Sequence, residues 1–318
     1  MNLIEINQDR SKNMVISVAM TTYNGIKYIK QLLDSIQNQT EKPDEVVIVD
    51  DNSSDGTYEF VNEYIARNGL INWNNHRNEK NIGWRANFRV ALKKCSGDII
   101  FLCDQDDVWM PYKIFEMKQA MEMNSKIHLL VSNYSVLNVD RKDRIFIKNN
   151  ERNDGCVKKI EFKSSSLSVL RPGCTYAVRK TLVDKMMEND LISAPHDAVL
   201  WGYAAIDDSL YLFNRKTIQF RRHSESASTP KMQLNKTRRL NEISWDMDIL
   251  NFFISKCKDF AFIKKERMLK KQLEFNKKRI NFIKNNSFMK MFFLFITCIK
   301  YYPTIRNALS DIYVLLKK

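Results

Sequence analysis

Three carboxylates in four positions, Asp104, Asp106 and Asp107, follow directly on the apolar run Ile99-Ile100-Phe101-Leu102-Cys103. Such a run fits a strand buried on both faces, as in a parallel sheet. The acids then fall where the strand leaves its sheet. Clustered carboxylates repel one another unless a cation or water screens them. Oxygen-rich clusters suit Mg²⁺ or Mn²⁺, and a divalent ion can hold a diphosphate at the carboxyl edge of an α/β sheet. The same acids could instead cap a helix that starts near Pro111.

Other segments offer chemistry at comparable places. Thr21-Thr22-Tyr23-Asn24-Gly25 ends an apolar run and precedes a helical pattern, where ligands bind in a doubly wound sheet; it also reads as a plain Asn-Gly turn. Asp50-Asp51-Asn52-Ser53-Ser54-Asp55-Gly56-Thr57 occupies the equivalent position after a second run. An acid there can accept a hydrogen bond from a base or a ribose hydroxyl, while Ser54 or Asp55 caps the next helix. Asn78–Gly83 and the following Trp84-Arg85-Ala86-Asn87 make a third loop-to-helix junction, with Asn81 and Asn87 as its polar candidates. His196-Asp197 opens an apolar helix, and Asp197 is either its cap or a carboxylate that takes a proton from an attacking hydroxyl. Arg221-Arg222-His223 ends a candidate strand; a His can complete a metal site and Arg can neutralise phosphate, or the three form a basic surface turn.

The elements that must position these residues alternate. Strands are expected at Val15–Thr21, Glu45–Asp50, Ile71–His76, Ile99–Cys103 and Ile127–Ser132, with helices over Ile26–Asn38, from Thr57, over 84–95 and over Lys113–Met123. This βαβα rhythm predicts an α/β fold with an open, mainly parallel sheet flanked by helices. Residues 133–225 are less regular: Asn149–Gly155 reads as a polar loop, Cys174–Arg179 and Lys216–Arg221 as strands, and Asp197–Ile206 as a helix. Helical patterns near Met232–Lys258 and Phe260–Lys284 follow.

The 318 residues are 44% hydrophobic, enough for a sizeable core. Six cysteines form no CxxC pair and no zinc spacing, which points to reduced, buried thiols. Met1–Glu5 has neither the basic nor the long apolar region of a leader, and no segment reaches the roughly 20 apolar residues of a spanning helix. Charge divides the chain: residues 226–318 hold 20 Lys+Arg against 7 Asp+Glu, while residues 1–225 are nearly balanced.

Taken in order, Thr21–Gly25, Asp50–Thr57, Asn81-Ile82-Gly83, Asp104-Gln105-Asp106-Asp107, Arg171-Pro172-Gly173-Cys174, His196-Asp197 and Arg221-Arg222-His223 resemble the family-two inverting glycosyltransferases of the GT-A fold. The extended Cys103–Trp109 motif, with His196-Asp197, looks most like the bacterial rhamnosyltransferase branch. The resemblance implies a GT-A type, Rossmann-like catalytic domain over 15–225, with a nucleotide-sugar half (15–132) and an acceptor half (133–225). An N-terminal extension (1–14) precedes it and a basic, mostly helical region (226–318) follows. It further implies that Thr21, Tyr23, Asn24, Asp51 and Asp104 line the nucleotide site. Asp104, Asp106 and His223 would hold Mn²⁺ or Mg²⁺, and Asp197 would act as general base, with Asp207 and Asp208 as alternatives. Asn81, Asn87, Asp107, Trp109, His196, Arg221 and Arg222 are secondary candidates. The expected reaction moves a sugar, L-rhamnose from dTDP-rhamnose before a UDP-hexose, to a glycan hydroxyl in bacterial surface polysaccharide assembly. A sugar nucleotidyltransferase would carry a Gly-rich basic loop early in the chain, and Thr21–Gly25 has one Gly and no basic residue. A non-catalytic glycan- or lipid-binding scaffold is the remaining alternative, opposed by the intact acids.

The basic region shows no nucleic-acid module or stacking platform. Phe288–Tyr302 combines apolar bulk with flanking Lys and interfacial Tyr. It reads as a segment held at an anionic membrane surface, or as a helix buried against the catalytic domain or a second protomer. The expected location is cytoplasmic, peripheral on the inner face of the membrane, with a lipid-linked oligosaccharide among the acceptor classes.

Overall fold

A computed structural model describes residues 14–138, 153–188, 194–223, 234–259 and 262–316. All of the expected N-terminal extension but Met14, and most of the Asn149–Gly155 loop, lie outside the described residues. In chain order the elements are β1 (Ile16–Thr22), α1 (Ile26–Gln37), β2 (Glu45–Asp50), α2 (Thr57–Arg67), β3 (Trp73–Arg77), α3 (Trp84–Lys94), β4 (Ile99–Asp104), β5 (Val108–Trp109), α4 (Lys113–Met123) and β6 (Leu129–Asn138). They continue with β7 (Val157–Lys159), β8 (Tyr176–Arg179), α5 (Lys180–Met187), α6 (His196–Ile206), β9 (Leu210–Arg222), α7 (Lys236–Asp259), α8 (Ile263–Lys284), α9 (Phe288–Cys298) and α10 (Ile305–Leu316).

The strands form one mixed sheet in the order β3-β2-β1-β4-β8-β6-β9-β5, with β7 also on β9. The parallel part is β3-β2-β1-β4, and β4–β8, β6–β8 and β5–β9 pair antiparallel. The expectation of a mainly parallel sheet therefore describes the first half only. Strands β1 and β4 are buried almost without a break, because helices cover both faces where crossovers return the chain. Helix α1 shows the complementary pattern: Tyr28, Ile29, Leu32, Leu33 and Ile36 lie on one buried stripe. Gly97 permits the turn into β4, since a Cβ there would stand 2.6 Å from Ser17 Oγ and 2.8 Å from the Val15 carbonyl.

Three elements were not expected. β5 has two residues, too few for a period to register, and exists because Val108 and Trp109 pair with Gln219 and Ile218. β7 has only three, all exposed. Helix α5 follows β8 with no Gly or Pro between them to mark its start. The predicted strand at Lys216–Arg221 is the end of a longer one, β9.

The chain forms two compact units, whose described residues fall within Met1–Lys158, Arg171–Ile192 and Tyr211–Arg221, and within Lys159–Leu170, Ser193–Leu210 and Arg222–Lys318. The second is mostly helical. Ile243, Phe275, Ile283, Met291, Leu294, Tyr302, Ala308 and Val314 form a core among α7, α8, α9 and α10. Beside it, the buried Asp311 carboxylate accepts hydrogen bonds from Arg239 Nε (2.5 Å), Arg279 Nε (2.7 Å) and Tyr302 OH (2.8 Å). Burial alone would raise the Asp311 carboxyl, but Arg279 and Arg239 outweigh it and hold it below its usual value.

Removing one partner from a buried ion cluster leaves charge uncompensated, at a cost of about 3–5 kcal/mol. Asp311→Asn is therefore expected to lower the stability of the helical unit by about that amount near neutral pH in denaturant titrations followed by circular dichroism. Because the folded carboxyl is depressed, the contribution is complete above about pH 4 and fades as pH falls through the folded value. An unchanged midpoint in the variant would show that the two arginines are satisfied without Asp311.

Candidate active site

The acid motifs meet because β1 runs parallel between β2 and β4. In register, Thr21 stands opposite Asp104 and Thr22 opposite Asp50. The strand order turns back at β1, which makes the crevice beyond its carboxyl end the topological switch point where open α/β sheets bind ligands.

Side chains tie the loops at this edge together. Fully buried Asp50 accepts from Thr22 Oγ1 (2.8 Å) and from the Ser53 amide (2.8 Å). Ser53 Oγ in turn accepts the Asn24 amide (2.9 Å), and Asn24 Oδ1 accepts the Ser54 amide (2.9 Å). Asn24 holds a left-handed backbone, φ 47°, which Asn tolerates better than most residues. Asp55 is not the cap expected of it, since Gly56 is the N-cap of α2; its two oxygens accept the Thr57 and Ile26 amides and so join the two loops.

Asp51, expected to meet a base or ribose, is 2% exposed. Its carboxylate accepts from the Ile82 amide, the Gly83 amide and Asn78 Nδ2, each at 2.9 Å. It thus organises the third loop. Asn81 closes the turn within that loop by accepting the Gly83 amide at 3.0 Å. Asn87 is buried and links Asn78 to the Val49 carbonyl. Thr21 is nearly buried and Tyr23 is exposed beside it.

Gln105 carries a role that the sequence reading did not give it. Its amide clamps Tyr23 through both backbone groups, accepting N–H at 2.7 Å and donating to C=O at 2.9 Å. Gly25 makes room, because a Cβ there would stand 2.4 Å from Gln105 Oε1.

The three acids differ in environment. Asp104 and Asp106 are partly exposed, and Asp107 is fully buried. Asp107 Oδ1 accepts the Arg221 amide at 3.0 Å, and its Oδ2 has no hydrogen-bond partner. Burial pushes the Asp107 carboxyl well up, and the charges of Asp106 and Asp104 push it further. Burial likewise raises the thiols of Cys103 and Cys174. Asp104, Asp107 and Cys174 each offer an atom within 4.8 Å of the others. The oxygens of this set suit a hard divalent ion, and the buried, unsatisfied Asp107 Oδ2 is an acceptor such an ion or its water could meet. The thiol, held protonated by burial, does not add to that set.

Beneath the acids lies Lys113, fully buried on α4. Its Nζ donates to the Cys174 carbonyl (3.2 Å) and Thr217 Oγ1 (3.4 Å) and sits over the Trp109 ring at 4.8 Å. Burial pushes its pKa down to about 8. A sequence signal for it exists: Lys113, Met117 and Met121 share one helical stripe, so a lysine holds a core position. Trp109 is a wall of the same core, packed 6.0 Å from Phe101. Arg221 is also structural. Its guanidinium donates to the Asp106 carbonyl (2.7 Å) and to Gln31, over the Tyr28 ring.

The structure thus brings Thr21, Tyr23, Asn24, Asp51, Asp104, Asp106 and Asp107 to one sheet edge. Asp197, His196, Arg222 and His223 belong to the second compact unit. There His196 is buried at the start of α6, and Asp197 Oδ1 accepts the Ala198 amide at 2.8 Å. Asp208 pairs with Lys265 (2.6 Å) and Lys159 (3.5 Å).

Comparison with known proteins agrees with this geometry. Residues 17–185, just over half of the chain, match the Glycosyl transferase family 2 family profile. The UDP-Glc:alpha-D-GlcNAc-diphosphoundecaprenol beta-1,3-glucosyltransferase WfgD of Escherichia coli is 32% identical over 125 residues, 39% of this chain and 47% of that protein. The matched stretch spans only 31 to 41% of the length of uncharacterised mycobacterial and archaeal relatives. Among solved structures, Staphylococcus aureus TarS 1-349 in complex with UDP-GlcNAc has a TM-score of 0.58 at 17% identity, covering 95% of this chain and 91% of that one. The mannosyltransferase PcManGT of Pyrobaculum calidifontis, in complex with GDP-Man and Mn²⁺, has a TM-score of 0.54 at 14% identity over 96% and 86%. These two share its fold. On the family match, supported by the acid motifs at the switch point of a mixed α/β sheet, the chain belongs to glycosyl transferase family 2.

Proposed function

We propose that the protein transfers a sugar with inversion from a nucleoside-diphosphate donor to a hydroxyl of a lipid-linked glycan. The observation that carries this reading is the register of β1, which sets Asp50-Asp51 on one side of Thr21–Gly25 and Asp104–Asp107 on the other. In this reading the Asp50–Gly83 loops form the nucleoside side and Asp104 and Asp106 face the diphosphate. A divalent ion held by these acids would neutralise the charge that grows on the departing diphosphate. His223 remains a candidate to complete its ligands. Asp107, buried and with its carboxyl raised, offers a carboxylate oxygen to the same set as Asp104.

In this reading Asp197, at the position the family resemblance gives it, is the general base. Transfer with inversion needs one group to take the proton of the acceptor hydroxyl while the bond to the leaving group breaks. Asp208 is held by Lys265 and Lys159, which disfavours it for that task.

For the donor, WfgD is named for UDP-Glc and the TarS crystal structure holds UDP-GlcNAc. These favour a UDP-hexose over the dTDP-rhamnose expected from the Cys103–Trp109 motif. The name of WfgD also places its acceptor on diphosphoundecaprenol, which supports a lipid-linked glycan here.

Two variants test the roles. Asp106→Ala is expected to weaken Mn²⁺-dependent nucleotide binding by at least the roughly 10–100-fold that loss of an outer-shell metal partner costs; calorimetry giving an unaltered affinity would remove Asp106 from the metal site. Asp197→Ala is expected to bind donor as before and lose about 10²–10⁴-fold in turnover. Full transfer by that variant would rule Asp197 out as the base.

A further inference from the structure

Helices α9 and α10 are apolar on both sides. Their inner faces, Met291 and Leu294 on α9 and Ala308 and Val314 on α10, belong to the core of the helical unit. Their outer faces are just as apolar. Met289, Phe292, Phe293, Ile296 and Ile299 recur at helical spacing along the exposed side from α9 onward, and Ile305, Leu309, Tyr313 and Leu316 do so along α10. Phe293 is 68% exposed and Leu316 64%. Scattered apolar residues on a surface are ordinary, whereas exposed apolar stripes that run along two helices in contact mark a contact surface. The inner face of Phe288–Tyr302 is thus buried within the helical unit itself, rather than against the catalytic domain or a second protomer.

Charge selects the occupant. Asp311 is the one acid in residues 287–318, and it is buried against Arg239 and Arg279. Lys290, Lys300 and Arg306 are exposed beside the stripes. A second copy would bring an equal basic excess, since residues 226–318 carry 20 Lys+Arg against 7 Asp+Glu, and would be repelled. An anionic bilayer attracts that charge and takes up the apolar stripe, as interfacial helices require. No described helix is long and apolar enough to cross a membrane, so the contact lies along the surface.

We propose that the outer faces of α9 and α10 dock this protein on an anionic lipid surface through an apolar stripe inserted at the headgroup boundary and a basic rim. This goes beyond the catalytic reading and stands without it. The test is sedimentation of the full chain with phosphatidylglycerol vesicles and with phosphatidylcholine vesicles, and light scattering without lipid. The wild type is expected to sediment with phosphatidylglycerol far more than with phosphatidylcholine. The double variant Phe293→Glu/Ile296→Glu should bind at least about tenfold more weakly, and Lys290→Gln about fivefold more weakly. Both side chains of the double variant are exposed, so its circular dichroism and nucleotide affinity should match the wild type. Wild-type protein that stays in solution with both vesicle types would overturn the proposal. So would unchanged vesicle binding by the double variant, or a wild-type dimer that this variant abolishes, which would make the face a contact between copies.

Discussion

Strand β1 hydrogen-bonds in parallel on both sides, and that pairing sets everything that follows at the edge where the acid motifs meet. Parallel register aligns the carboxyl ends of β1, β2 and β4, so three loops far apart in sequence open at one rim. The order β3-β2-β1-β4 places the reversal of the sheet at β1. A crevice forms there for topological reasons, before any side chain is considered.

What the loops then require is rigidity without helices or strands to supply it. Carboxylates and amides do that here. Asp50 and Asp51 each gather several donors from neighbouring turns, and Gln105 ties Tyr23 to the acidic cluster. A further constraint comes from charge. Asp107 is buried with an oxygen left over, below two more exposed acids, and the buried Lys113 lies in the same region. A cation held there would reduce the repulsion among the acids.

The legible part of the fold was the part made of long, regular runs. Strands β1, β2 and β4 and helices α1 and α4 declare themselves through continuous apolar segments or a 3.6-residue stripe. β5 could not, because its two residues owe their conformation to β9, more than a hundred positions away. At the site, residue types brought the motifs to one sheet edge, while the hydrogen bonds each residue makes became visible only in the fold. Asp51 and Arg221 read as ligand contacts, yet their polar atoms are engaged with the protein itself. Asp51 carries three hydrogen bonds within the protein, and Arg221 braces Asp106 and Gln31. Sequence spacing reports which groups are near a loop, whereas the count of donors already facing a carboxylate is a property of the folded chain. Lys113 was the converse case, a charged residue on a core stripe that the pattern displayed and charge concealed.

The central claim, that the acids at the ends of β2 and β4 form a divalent-ion-dependent nucleotide site, is tested most directly by calorimetric titration of the wild-type chain with UDP, dTDP and GDP, with and without Mn²⁺. The account predicts saturable binding of one nucleotide, UDP before dTDP, that requires the ion. Folded protein that binds none of the three with Mn²⁺ present, or binds equally well without it, would contradict the account.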